Sequence, residues 1–295
     1  MSAPATAPPA SADPATTEAA RPARRAGGSG LGRALRRLVI SVGGAALSIV
    51  VICLAWQGLI SGFGLDPFIT RGPLDVWEYL TASGNDAERS LLADAAVITG
   101  RDALIGMVSG TVAAVVAAIL FVLYRGIEQA VMPVAMALRA VPLVAMTPLI
   151  ALVFGRGLLS VTVIAGIVTF FPVLVNVALA LRAVPASSFD LMRAYGAGPA
   201  TTLRKVQLPS ALPSLFAALR IAAPLALVGA LLAEWLTTGQ GLGYLMLQSV
   251  TTFELDRMWA AVTIVTVASI LLYSLISAVE QLTLARYAPD RDRTL

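Results

Sequence analysis

Residues Ser187–Ser214 read SSFDLMRAYGAGPATTLRKVQLPSALPS. The stretch lies between two long oily segments. It carries Asp190, Arg193, Arg204 and Lys205, two glycines close together and three prolines, yet it keeps apolar residues at helical spacing. Ser187 followed three residues later by Asp190 has the spacing of a capping box. Phe189 and Met192 share one face of the helix that follows, and Leu191 and Tyr195 share another. Gly196 and Gly198 end that helix, because glycine takes a left-handed backbone at little cost. Pro199 suits the first turn of a second short helix with Leu203 and Val206 on one side. Pro209 reads as its end, and Pro213 as the opening of the next oily segment. The expected product is a compact helical knuckle at a membrane surface, with an apolar face of its own. Either the protein's own helix ends and the lipid headgroups cover that face, or a soluble partner does.

Working outward, the 295 residues are 58% hydrophobic and 13% charged. A soluble domain of this size cannot hide so much apolar surface, so the chain reads as a polytopic membrane protein. Histidine is absent, and Cys53 is the single cysteine. A histidine-dependent triad, a histidine metal site and an internal disulfide are therefore excluded. The only lysine, Lys205, lies in the polar insert, and no two carboxylates share an apolar span, so no catalytic residues, metal or cofactor are expected. The net charge of +4 comes almost wholly from arginine and reads as an orientation signal in a bilayer rather than a nucleic-acid surface.

A helix needs about 20 apolar residues to cross the hydrocarbon core. Six stretches meet that measure: 38–60, 101–124, 130–154, 158–182, 212–236 and 259–283. The expected organisation is a disordered basic cytoplasmic tail over 1–37, a first span over 38–60 and a periplasmic or extracellular loop over 61–98. A core over 99–286 contains the polar insert at 183–211, and a short cytoplasmic tail follows at 287–295. The tail is too long for the start of a signal peptide, and no small-residue cleavage site follows, which favours an uncleaved first span. Within the loop, TASGNDAERS reads as a turn. With the N-terminus inside, positive charges favour the inner segments three to one, which puts both termini and the insert in the cytoplasm. Pro142, Pro148, Pro172 and Pro224 fall inside expected spans; they suit helices that move, although membrane helices also tolerate proline. Trp56, Trp77, Trp235 and Trp259 sit near expected boundaries or in the outer loop, as an interfacial belt would.

DLMRAYGAGPATTLRKVQLP resembles the cytoplasmic loop of ABC-importer permeases, whose usual form is Glu-Ala-Ala, a glycine, then a hydrophobic-x-Leu-Pro ending. Asp190, Leu191 and Met192 stand at the Glu-Ala-Ala positions, Gly196 at the glycine, and Val206, Leu208 and Pro209 at the ending. Asp for Glu and Leu-Met for Ala-Ala are departures from the pattern. LRAVPLVAMTPLIALVFGRG, FFPVLVNVALALRAVP and LLAEWLTTGQGLGYLML look like the nitrate, sulfonate and taurine branch of the binding-protein-dependent transport inner-membrane component family. The likeness covers about residues 90–283. It implies an all-α fold of six transmembrane helices in a bacterial inner membrane, with a short coupling helix between the fourth and fifth. It implies half of a translocation pathway, completed by a second permease subunit, expected to be an identical copy. Two cytoplasmic ATPase subunits and an extracytoplasmic solute-binding protein complete the assembly, with no nucleic acid. The chain shows no GxxxxGK[ST] loop, so the phosphate chemistry belongs to another polypeptide. The resemblance places Arg193, Tyr195, Ala197 and Leu203, with the motif positions above, in contact with the ATPase.

Polar groups inside spans are costly and therefore candidates for function. Arg220 stands eight residues into the fifth span, roughly 12 Å deep at the helical rise. It either snorkels to the inner headgroups or lines the pathway, where it would favour an anion. Asn176 is placed to bond across helices or to substrate. Glu234 falls at the outer end of the fifth span, either hydrated or on the pathway, and its charge reversal is expected to weaken transport while leaving ATPase docking intact. Gly239, Gly241 and Gly243 are candidates for an outer gate or a binding-protein contact. The expected substrate is a small anion or organic solute of the nitrate, sulfonate or taurine type. A pyrimidine or riboflavin type of vitamin precursor is the alternative, and a stand-alone secondary transporter or channel the third reading. A membrane enzyme lacks the residues it would need.

Overall fold

A computed structural model describes residues 47–287. The expected 1–37 tail, the start of the first span and nearly all of the 287–295 tail lie outside the described residues. The chain divides into two units between Ala55 and Trp56. The described part of the first is residues 47–55, the opening of helix α1 (Leu47–Gly62). The second unit carries α2 (Pro73–Thr81), α3 (Asp86–Leu123), α4 (Arg125–Ala140), α5 (Leu143–Phe154), α6 (Leu158–Arg182), α7 (Ala186–Ala194), α8 (Pro199–Thr202), α9 (Leu208–Ala233), α10 (Gly241–Thr251) and α11 (Leu255–Tyr287). Among the described residues there is no strand.

Four of these helical stretches are long and apolar enough to cross a membrane: Asp86–Leu123, Leu158–Arg182, Pro199–Thr238 and Leu255–Leu284. They contain the expected spans at 158–182, 212–236 and 259–283, and all but the last residue, Tyr124, of the span at 101–124. The expected span at 130–154 is instead two helices, α4 and α5. Proline disfavours helical backbone in the residue before it, and Pro142 itself is extended (φ −60°, ψ 115°), so the chain turns there and restarts at Leu143. The turn expected in TASGNDAERS is present at Ala82–Asn85, where Gly84 has φ +108°.

Two features of the knuckle differ from expectation. Its first helix begins at Ala186 with Pro185 at the cap, so Ser187 lies inside the helix and caps nothing. Pro209 ends no helix, and Pro213 opens none: α8, a wider turn at Leu203–Gln207, α9 and a second wide turn at Glu234–Thr238 run on as one 40-residue helix. Pro209 has no N–H to give the carbonyl four residues back, and its ring would press on that carbonyl. The wider turn, in which the Leu208 N–H reaches the Leu203 carbonyl, absorbs the conflict without breaking the helix.

The core is a three-helix packing of α3, α6 and α9. Small residues let the backbones approach, as they do where lipid is as apolar as the helices themselves. Gly106 lies against Ala165, Gly110 against Gly166 and Thr169, and Gly229 against Ala165. A Cβ on Gly110 would strike the Gly166 carbonyl oxygen, a backbone atom that cannot step aside. Gly110→Val is therefore expected to destabilise the purified chain by about 1–3 kcal/mol, the usual cost of overpacking, read as a lower thermal midpoint in detergent. Gly100→Ala, where nothing lies within 4 Å, should leave the midpoint unchanged or raise it.

At one end of the second unit, the segment before α3 is stapled to the start of α11. Arg257 makes two 2.7 Å bonds to the Glu88 carboxylate, and the Tyr79 hydroxyl donates to the same group at 2.9 Å. Burial, and then the Glu88 bond, push the Tyr79 phenol up to about 12. Arg71 pairs with Asp256, and Trp259 donates to the Ile69 carbonyl at 3.1 Å while stacking on Trp56 at 5.5 Å. Trp56 and Trp259 thus hold this staple together, whereas Trp77 and Trp235 are exposed.

Candidate functional site

The candidate sites are the knuckle, an apolar cavity beside α6, and a buried carboxylate at the far end of α9. In the knuckle, α7 contains no fully buried residue. Phe189 and Met192 are half-buried on its inner side, while Leu191 (58% exposed) and Tyr195 (82% exposed) point outward. The helix ends in two reciprocal bonds: Gly196 N–H to the Arg193 carbonyl and Ala197 N–H to the Met192 carbonyl, each 2.9 Å. This is the Schellman arrangement, and Gly196 takes the left-handed conformation it requires (φ +67°). Asp190 and Arg193 stand 3.8 Å apart and are well exposed, a pair worth little to stability.

The base of the knuckle is tied to the core. Gln207 donates to the Leu181 carbonyl at 2.8 Å, joining the wider turn to the end of α6. Arg182, one residue on, pairs with Glu128 of α4. Leu203 is buried in the cluster of Phe121, Val177 and Leu181, while Val206 and Leu208 are half-buried and Pro209 is exposed. The outward apolar face of α7 therefore sits on a mount fixed to three helices.

The cavity has a volume of about 470 Å³ and is bordered by α5, α6 and α9. Its lining includes Ile167, Val168, Phe171, Asn176, Ile221 and Leu225. Among the described lining residues Asn176 is the only one with a polar side chain. Its Nδ2 donates to the Pro172 carbonyl at 2.8 Å, and the rest of the amide is left for the cavity. Arg220 does not line it. Its guanidinium stands 3.0 Å from the Glu280 carboxylate of α11, so the arginine is paired across two helices.

Glu234 is fully buried (0% exposed), not hydrated at a helix end. One carboxylate oxygen accepts from the Gly243 N–H at 2.7 Å and from the Thr99 hydroxyl at 3.0 Å. The Thr99 oxygen in turn accepts from the Leu242 N–H at 2.9 Å. The N-terminal amides of α10 are thereby fastened to α3 and α9. Gly241 and Gly243 are glycines because a Cβ at either would strike the Glu234 carboxylate or the Leu231 carbonyl. Gly239 faces open space at φ +66° and supplies the turn into α10. Thr99 and Asp102, buried close to this carboxylate, escaped the sequence reading. Thr99 lies 135 positions from Glu234, and no local pattern connects them.

A family model described as binding-protein-dependent transport system inner membrane component matches residues 107–285. The chain belongs to this family. It is a multi-pass inner-membrane protein with the permease role of ABC transporters. It is 31% identical, over 77% of its length and 91% of the relative's, to a probable ABC transporter permease protein of Haemophilus influenzae. It is 30% identical, over 85% and 92%, to the riboflavin transport system permease protein of Chloroflexus aurantiacus. Other relatives are named as permeases for formylaminopyrimidine, aliphatic sulfonates and nitrate. In fold, it superposes on a chain of the MetNI methionine ABC transporter in an inward-facing conformation with a TM-score of 0.59. The match covers 67% of this chain and 98% of that one at 19% identity.

Proposed function

We propose that this permease forms half of the translocation pathway of an ATP-driven importer and that residues 187–209 are the lever through which a separate ATPase drives it. The observation that carries this reading is the outward Leu191–Tyr195 face. An exposed apolar face on a firmly capped helix, mounted on three helix ends, suits a cleft in a cytosolic partner. In this reading both termini are cytoplasmic, and two permease copies, two ATPase subunits and a solute-binding protein make up the working assembly. Closure of the ATPase pair on ATP would bring the two knuckles together and switch the side to which the pathway opens, a rigid-body movement between two states. Asn176 would lie on the pathway, and Glu234 with Gly239, Gly241 and Gly243 would set the outer end of it.

The solute would be small and delivered by the binding protein. The names of the relatives run from sulfonates and nitrate to riboflavin and a pyrimidine. The lining of the cavity, uncharged among the described residues, and the pairing of Arg220 with Glu280 favour the vitamin-precursor type over the anion type.

The test is reconstitution in vesicles with the ATPase and binding protein. Uptake is expected to require ATP and both partners. Uptake by this chain alone, without ATP, would overturn the importer reading in favour of a stand-alone transporter.

A further inference from the structure

The cavity beside α6 has the shape and chemistry of a ligand site. It lies at the middle of α6, beside Pro172, which sits inside that continuous helix. Phe171 is held edge-to-face on Phe170, with centroids 5.2 Å apart and planes at 82°, so one aromatic wall has a set orientation. Ile167 and Val168 extend that wall, and Ile221 and Leu225 of α9 face it. A ligand pocket that is mostly apolar with a few placed polar groups is the common form of a small-molecule site. Here the placed group is the Asn176 carboxamide, which carries two donors and an acceptor and uses one donor on the Pro172 carbonyl.

An anion moved into such a wall gives up its hydration and finds, among the described lining side chains, one amide in return. That exchange is unfavourable unless a cation or several donors compensate. The nearest candidate on α9, Arg220, is engaged by Glu280. An uncharged ring system loses far less on entry, gains contact with the apolar wall, and can satisfy the amide with one polar edge.

We infer that this cavity is a substrate-class filter within the membrane: it binds uncharged, largely planar ring compounds bearing a donor–acceptor edge that pairs with Asn176, and it rejects anions of the same size. The inference rests on the permease reading and narrows its substrate.

The test compares two probes of nearly equal shape, neutral 2-naphthalenesulfonamide and anionic 2-naphthalenesulfonate, binding to the full-length chain in nanodiscs of zwitterionic lipid. The sulfonamide is expected to bind saturably and at least tenfold more tightly than the sulfonate. Asn176→Ala should weaken the sulfonamide about tenfold, the scale of one buried hydrogen bond. Because Asn176 also bonds its own helix, Ile221→Trp serves as a second variant: position 221 is half-exposed, so the added ring fills the cavity without repacking the core. It should abolish saturable binding while the chain still associates with its ATPase. Equal or tighter sulfonate binding overturns the inference, as does sulfonamide binding that neither variant changes. Either result, obtained while reconstituted uptake still needs ATP and both partners, removes the filter and leaves the permease role standing.

Discussion

Glu234→Lys will reduce uptake in reconstituted vesicles at least a hundredfold, whereas Glu234→Gln will keep most of it. The carboxylate is enclosed by the protein, and its oxygen receives the Gly243 N–H and the Thr99 hydroxyl. A lysine can accept neither bond. It also brings an ammonium into a space with no anion assigned to receive it except the Asp102 carboxylate, which already pairs with Arg101 at 2.8 Å. An uncompensated buried charge costs several kcal/mol, enough to release the N-terminus of α10 from α3 and α9. Glutamine keeps an acceptor oxygen in the same place and leaves one amide hydrogen-bonding group short, a cost of about 1–3 kcal/mol. The damage should stay local. Glu234 and Leu203 are 31 residues apart on one helix, roughly 45 Å at the helical rise, so the knuckle end should still retain the ATPase. Wild-type uptake by Glu234→Lys, or loss of ATPase association with the loss of uptake, would contradict this account.

The parts of this architecture that depend on neighbours in sequence could be read from sequence. The span at 158–182 coincides with α6 to the residue, because an apolar run bounded by Gly157 and Ala183-Val184-Pro185 leaves little choice of ends. Gly196 as a helix terminator and Pro199 at a helix start were legible for the same reason: backbone conformation and a missing N–H are properties of single residues. Prolines within oily stretches were not. Pro142 splits an expected span, while Pro209 and Pro213 sit inside a continuous helix, and the difference lies in whether the surrounding helices hold the backbone together. At Pro209 the Gln207 tie to the Leu181 carbonyl and the packing of Leu203 hold it, and both partners come from α6 or beyond. The polar groups were hardest. Arg220 was recognised as costly, but its partner Glu280 is 60 positions away on α11. Of the two readings left open for Glu234, burial removes the hydrated one, and its partner Thr99 was out of reach because nothing in its own helix announces it.

The knuckle offers the sharpest separation of structure from mechanism. Leu191→Asp combined with Tyr195→Asp is expected to lower ATP-driven uptake a hundredfold or more without lowering the thermal midpoint of the isolated permease. Both side chains are exposed in the chain itself, so they carry little of its stability. If a partner cleft covers them, each contributes about 1.5–3 kcal/mol of apolar burial. A carboxylate forced into that cleft adds a desolvation cost of its own. Two such changes exceed the roughly 2.7 kcal/mol that a hundredfold loss of affinity represents. The readout must therefore be taken in three assays: uptake, association with the ATPase, and binding of substrate to the permease. The double variant should fail the first two and pass the third. Normal ATPase association by a double variant that still folds would mean that the outward face of α7 meets lipid or solvent and that the drive enters elsewhere.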